Sequence, residues 1–285
     1  MGPFVQQIVN GCLVGFNYAM VAVGLTMIYG VLRILHIAHA VIYTVGAYIG
    51  LTVYLLTGSF VLAVIAAMCG CGLLGIAINR FIYMPVLRSR VVVMVASIGL
   101  LVALSDLVRL VFGPSEQAFA VSLPFGGHVA GVRLAGPDVL MVVSFCAAMA
   151  VLWYVMKHTK AGFAIRAMAQ NQESAELMGV NRRRNIDIVF FMGSALAGLA
   201  GVLVGVLYNS IFPAMGDVYA YKALAIIVIG GFGSVVGSIL GGLFLGLSET
   251  LVTTYTNIPL GREGIAMLFL IVLLLIKPRG LLGRE

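Results

Sequence analysis

Nine mostly apolar stretches, separated by short polar or glycine-containing breaks, recur between Ile8 and Ile276. They cover 8–31, 41–56, 60–81, 91–112, 139–156, 188–208, 223–231, 235–253 and 264–276. A helix needs about 20 largely apolar residues to cross the hydrocarbon layer of a bilayer. This recurrence restricts the chain to an all-α, polytopic membrane protein. About eight transmembrane helices are expected, within a range of seven to nine, because 223–253 reads as two segments hinged at a glycine-rich break. Composition agrees: 62% of residues are hydrophobic and 9% charged, against about 25% charged in soluble domains.

The few charges are unevenly placed. If Arg33, the turn at Arg80, Arg88 and Arg90, the 157–187 stretch and the C-terminal tail share one side, that side holds 13 of the 17 Lys/Arg. Arg109, Arg133, Lys222 and Arg262 fall opposite. Lys and Arg are retained in the cytoplasm, which puts the C-terminus inside and, through nine segments, the N-terminus outside, facing the periplasm. Met1 to Gln7 lacks the basic start of a cleaved signal peptide, so the first span is expected to stay in the mature protein. The net charge of +7 has no soluble basic face to act from, which argues against nucleic-acid binding.

Catalytic chemistry finds little support. Cys12, Cys69, Cys71 and Cys146 all lie in apolar segments, and Cys69 and Cys71, two apart, point to different helix faces. They read as small core residues. His36 and His39 stand at i, i+3, but no third ligand is near. No Walker-type phosphate loop or Gly-x-Ser-x-Gly elbow occurs. No catalytic residue, metal or cofactor is therefore expected.

One polar island interrupts the pattern. Residues 157–187 hold Lys157, Lys160, Arg166, Arg182, Arg183 and Arg184 with Glu173, Glu176 and Asp187. The run from Ala161 to Met178 is rich in strong helix formers and is expected to be one short surface helix. Gly179 then occupies the position of a left-handed C-terminal residue, and Asn181 can cap the next helix. Glu173 and Glu176 share a helix face, with Gln172 beside them. Two readings stay open, a docking surface for a soluble partner or a solvated loop.

Polar groups in or beside the spans are Asn10, Asn17, His36, His39 and Asn209. Asn in a span is costly unless it meets a protein interior or a water cavity. Each can line a solute path or serve a structural hydrogen bond. Small residues four apart permit close helix approach. That spacing marks Gly11 and Gly15, Gly201 and Gly205, and the series Gly233, Gly237 and Gly241 as packing sites.

Three passages resemble one family. Gly162 to Gln170 followed by Ala175 to Gly179 resembles the cytoplasmic coupling loop of ABC importer permeases, in particular the branched-chain amino acid (LivH-type) permeases. Gly24 to Val31 with Gly46-Ala-Tyr48 is similar to that family's N-terminal signature. Tyr221 to Gly242, with Glu249 after it, is similar to its C-terminal one, and Lys277 to Gly283 to its basic tail. The family's Asn-Phe-Ala-His-Gly-Glu run is here His36-Ile-Ala-His39-Ala40-Val41, so only His39 matches.

The resemblance implies a single permease domain over 1–285, with 157–187 as its coupling loop and contacts to an ATPase through Arg166, Gln172, Glu173, Glu176 and Gly179. It implies cytoplasmic ATPase subunits, a second identical or homologous permease and a periplasmic solute-binding protein as partners, in the bacterial inner membrane. Branched-chain or other small neutral amino acids are the implied cargo, with urea or amides as the alternative. A self-sufficient secondary transporter would need intramembrane acids or bases, and Glu249 is the one acid placed inside a late span.

Overall fold

The computed structural model describes residues 2–87, 89–123, 125–129, 132–256 and 261–276. Arg88, Pro124 and the basic tail 277–283 lie outside the described residues. Seven helices are long and apolar enough to cross a membrane. They are α1 (Gly2–Leu32), α2 (His39–Thr57), α3 (Phe60–Ile78), α5 (Arg90–Phe112), α6 (Gly136–His158), α9 (Arg182–Tyr208) and α11 (Val235–Tyr255). The crossing stretch that begins with α3 continues through a π-helical turn (Asn79–Tyr83) and α4 (Met84–Val86). The remaining helices are α7 (Lys160–Gln170), α8 (Gln172–Leu177), α10 (Met215–Gly230) and α12 (Arg262–Ile276).

Side chains start several of these helices. Ser59, Ser89, Asn181 and Ser234 each accept a hydrogen bond from a backbone N–H of the first turn. Such caps satisfy donors that have no intrahelical partner.

The central helices are α1 and α9, which cross at Gly24 and Gly193. A Cβ at Gly24 would lie 2.6 Å from the Gly193 carbonyl oxygen. Helix α11 lies along α1, and a Cβ at Gly15 would lie 2.8 Å from Leu243 Cα. On the other side of α9, α2 and α3 approach Gly201 and Gly198 respectively. Helices α5 and α6 sit at the periphery with few buried side chains and about half of their apolar ones exposed.

Two small antiparallel pairs lie in the connections. Strands β2 (Gly127–Val129) and β3 (Val132–Leu134) form a hairpin between α5 and α6. Strands β1 (Gln117–Ala118) and β4 (Ser210–Ile211) join the chain after α5 to the chain after α9.

The structure departs from the sequence expectations in two places. Ala161 to Met178 is two helices rather than one, because the Asn171 side chain accepts from Ser174 N at 3.0 Å and caps α8 where α7 would have continued. Asn and Asp compete with the helical backbone in this way. Residues 209–222, which fall between the apolar stretches 188–208 and 223–231, already contain the first half of α10, and Lys222 is buried inside the bundle. At about 1.5 Å per residue, the 16 residues of α10 span about 24 Å, short of the roughly 30 Å hydrocarbon layer. The break that follows places Gly231 and Gly233 at φ +91° and +80°, a region side chains disfavour.

Candidate translocation path and coupling surface

Between α1 and α2 the chain unwinds, with Arg33 at φ +52°, and turns back into the bundle. His36 and Ala38 have no exposed surface. Ala38 N donates to Ser97 Oγ at 3.0 Å, and His36 Nδ1 lies 2.6 Å from Tyr83 OH. These contacts tie a backbone and a ring group of the unwound turn to α5 and to the π-helical turn. His39 opens α2 beside Gly24, its ring 5.6 Å from that of His36.

The most polar feature of the interior joins α1, α10 and α11. Lys222 Nζ lies 2.9 Å from Glu249 Oε2 and donates to Tyr18 OH at 2.6 Å, and Tyr18 OH donates to the same carboxylate oxygen at 2.7 Å. All three residues are buried. Burying a lone ion costs several kcal/mol, whereas a well-bonded opposite charge offsets most of that. The Tyr219 ring stands 5.5 Å from that of Tyr18 and 4.3 Å from that of Tyr43.

Tyr18, Tyr43, Tyr219 and Lys222 line one side of a cleft of about 370 Å³. Val204, Met215 and Val218 supply apolar wall, and Glu116 and Ser210, themselves in contact, stand at the strand-bearing end. The cleft offers one place where cation, anion, phenol and aliphatic surface converge.

The polar residues singled out from the sequence do not gather there. Asn10 is half-buried near the start of α1 and accepts from Gln6 Nε2 at 3.1 Å. Asn17 is buried and donates to the Ala200 carbonyl at 2.9 Å, joining α1 to α9. Asn209, exposed, ends α9 at φ +54° and its carbonyl accepts from Phe119 N. His36 and His39 form their own group at the unwound turn.

Lys222 and its tyrosines were missed by sequence reasoning. The available signal was Glu249, an acid in a span that required a cation, with Lys222 adjoining an apolar run.

The glycines divide by neighbour. A Cβ on Gly201 would strike the Tyr43 carbonyl, and one on Gly237 the Gly230 carbonyl. Gly205 faces Ile211 and Phe119, Gly241 faces Ile226, and Gly233 sits in the turn beside Gly30.

At one end of the bundle, α7 and α8 form a compact loop element. Thr159 Oγ1 caps α7 by accepting from Gly162 N at 3.1 Å. Gly162, Ile165 and Met168 are buried. The Gln172 side chain donates to the Val31 carbonyl in the last turn of α1. Gly179 adopts φ +86°, and Asn181 Oδ1 accepts from Arg184 N at 3.0 Å to start α9. The opposite face is open: Glu173 and Glu176 are exposed, and Leu177 and Met178 are 85% and 87% exposed. Arg166 is half-buried, with its guanidinium 4.5 Å from the Phe163 ring centre. The exposed apolar pair is a second feature the sequence reading passed over.

A bundle of long apolar helices around a buried polar cluster, with an ordered loop element at one end, defines a multi-pass membrane permease. Residues 7–277 match the family model described as the branched-chain amino acid transport system / permease component. The chain is 32% identical over 302 aligned positions to the high-affinity branched-chain amino acid transport system permease protein LivH of Escherichia coli K12, covering 99% of this chain and 96% of that one. It is 33% identical to the corresponding BraD protein of Pseudomonas aeruginosa, with the same coverage of 99% and 96%. Among solved structures, PsaBC from Streptococcus pneumoniae in complex with Fab aligns with a TM-score of 0.53 and 14% identity over 96% of this chain and 91% of that chain, a likeness of fold. The chain belongs to the family of branched-chain amino acid ABC transport permeases, which are transport components rather than enzymes.

Proposed function

We propose that the chain is the membrane subunit of an ATP-driven importer carrying branched-chain amino acids across the bacterial inner membrane. Residues 1–285 act as one permease domain, with the C-terminus and the 157–187 loop in the cytoplasm and the N-terminus in the periplasm. Supporting partners are an ATPase, a second permease and a periplasmic binding protein. The observation that carries this reading is the two-sided loop element. It is fastened to the bundle through Gly162, Ile165, Met168 and Gln172. It presents Glu173, Glu176, Leu177 and Met178 outward.

An ATPase docked on that outward face transmits its motion to α1 and α9 directly. Arg166 and the turn at Gly179 hold the element's shape. The cleft beside Lys222 is the polar part of the path, at most about half of Asn10, Asn17, His36, His39 and Asn209 line it further along the bundle, and Gly201, Gly205, Gly233, Gly237 and Gly241 permit the close packing that frames it.

Substituting Glu173→Lys with Glu176→Lys, and separately Leu177→Asp with Met178→Asp, tests the docking face. The expected result is a membrane-inserted permease of unchanged thermal stability that no longer recruits its ATPase or supports leucine uptake in reconstituted vesicles. Uptake that survives both pairs, or that is driven by a proton gradient without ATP, refutes the proposal.

A further inference from the structure

A strongly basic cleft lies where α9 begins. Arg80, Arg183 and Arg184 line a cavity of about 340 Å³ between the end of the α3 stretch and the first turns of α9. The π-helical turn brings Asn79 and Arg80 together onto Asp187: Asn79 Nδ2 lies 2.8 Å from Oδ1, and Arg80 Nη2 lies 2.6 Å from Oδ2. Asp187 thus offsets one of the three cations. Arg183 and Arg184 are exposed and form no ion pair among the described residues.

The cavity changes character away from the charges. Its inner wall is Ile76, Ile188 and Phe191. Phe191 also lines a second, almost wholly apolar cleft of about 430 Å³ among α3, α6 and α9. Val64, Met68, Ala147, Val151 and Leu199 are among its walls. Phe191 is the wall the two clefts share, and its ring packs against Gly72, where a Cβ would lie 2.5 Å from it. From Arg184 to Leu199 the shared wall of α9 runs about 22 Å at 1.5 Å per residue. That exceeds the roughly 15 Å depth of one leaflet's hydrocarbon.

We propose that these two adjoining clefts together bind one anionic phospholipid, its phosphate between Arg183 and Arg184 and an acyl chain passing the Phe191 ring along α3, α6 and α9. Two features select this occupant. An acidic protein segment would satisfy the arginines but leave the long apolar cleft unfilled. A zwitterionic lipid would fill the cleft but bring a cation to a site already basic. Basic pockets between membrane helices at the bilayer surface suit anionic headgroups for this reason. The lipid would clamp the α3 stretch to α9 just beyond the α7–α8 element, a role independent of which solute the permease carries.

The test is native mass spectrometry of the full-length permease released from nanodiscs of mixed phosphatidylglycerol and phosphatidylcholine. The wild type is expected to retain one phosphatidylglycerol in preference to phosphatidylcholine. Arg183→Gln with Arg184→Gln removes charge while leaving the Arg80–Asp187 pair. At roughly fivefold per arginine near an anionic surface, it is expected to lower that retention about 25-fold. Ala147→Phe fills the acyl cleft with the charges intact and is expected to lower retention of the same lipid. Retention unchanged in the arginine variant overturns the headgroup site. Retention unchanged in Ala147→Phe overturns the groove. Loss of ATPase recruitment by the arginine variant without loss of lipid assigns the cleft to a protein partner instead.

Discussion

Helices α1 and α6 are both long and apolar enough to cross a bilayer, yet in an apolar 18-residue stretch of each, 83% of the residues of α1 are buried and only 17% of those of α6. Hydrophobicity does not explain the difference, since α6 is the more apolar of the two. In a soluble protein the greasier helix would be inside. In lipid the hydrocarbon chains already solvate an apolar helix, so burial goes to helices that pack closely or carry polar groups needing partners.

Helix α1 has both qualities. Gly11, Gly15 and Gly24 meet the backbones of α11 and α9, and Asn17, Tyr18 and Thr26 find acceptors or donors across the interface. Helix α6 instead turns Val143, Val151 and Trp153 outward, each more than half exposed.

The sharpest test of this contrast is charge removal at the core. Lys222→Met removes the cation 2.9 Å from buried Glu249 and is expected to cost about 3–5 kcal/mol, read as a fall in melting temperature of the purified permease. Replacing both residues, Lys222→Met with Glu249→Leu, should recover most of that loss, because an apolar pair of similar volume is often no worse than a buried ion pair. If the double variant is as unstable as the single one, the polar cluster does not organise the three helices as described.

A smaller effect separates the two environments by bulk alone. Gly237→Leu drives a side chain into the Gly230 backbone and is expected to cost about 1–3 kcal/mol. Gly99→Leu on α5, where a Cβ meets nothing within 4 Å, should leave folded yield unchanged. Unchanged yield in both variants would place both glycines against lipid.

The smallest expected change is on α6. Val143→Leu, at a site 59% exposed, should alter stability by no more than about 0.5 kcal/mol. A loss above 1 kcal/mol, measured by thermal unfolding in detergent, would mean that this face packs on protein.

Much of the architecture was legible from local pattern. The recurring spans, the Gly179 turn, the Asn181 cap and the glycine-rich break after α10 follow from apolar length, backbone sterics and side-chain acceptors, all properties of neighbours in the chain. Asn171 shows the boundary of that reading. Its helix-breaking cap was written in the same alphabet as that of Asn181, but the strong helix formers around it masked the break. Lys222 lies beyond the boundary. Its position outside the apolar stretches gave no sign of burial, which is made tolerable by Glu249, 27 positions later, together with Tyr18.

The candidate site divides along the same line. Glu173 and Glu176 could be placed on one exposed face because helical spacing is local. The cleft of Tyr18, Tyr43, Tyr219 and Lys222 could not, since it is assembled from three helices whose approach depends on glycine contacts far apart in the chain. Membrane residence and helical class follow from the sequence alone, because the energy of removing a backbone from water depends on each segment's own length and polarity. Which spans face lipid and which enclose the polar cluster was decided only in the tertiary structure, because in a bilayer that choice rests on shape and on partner groups rather than on hydrophobicity.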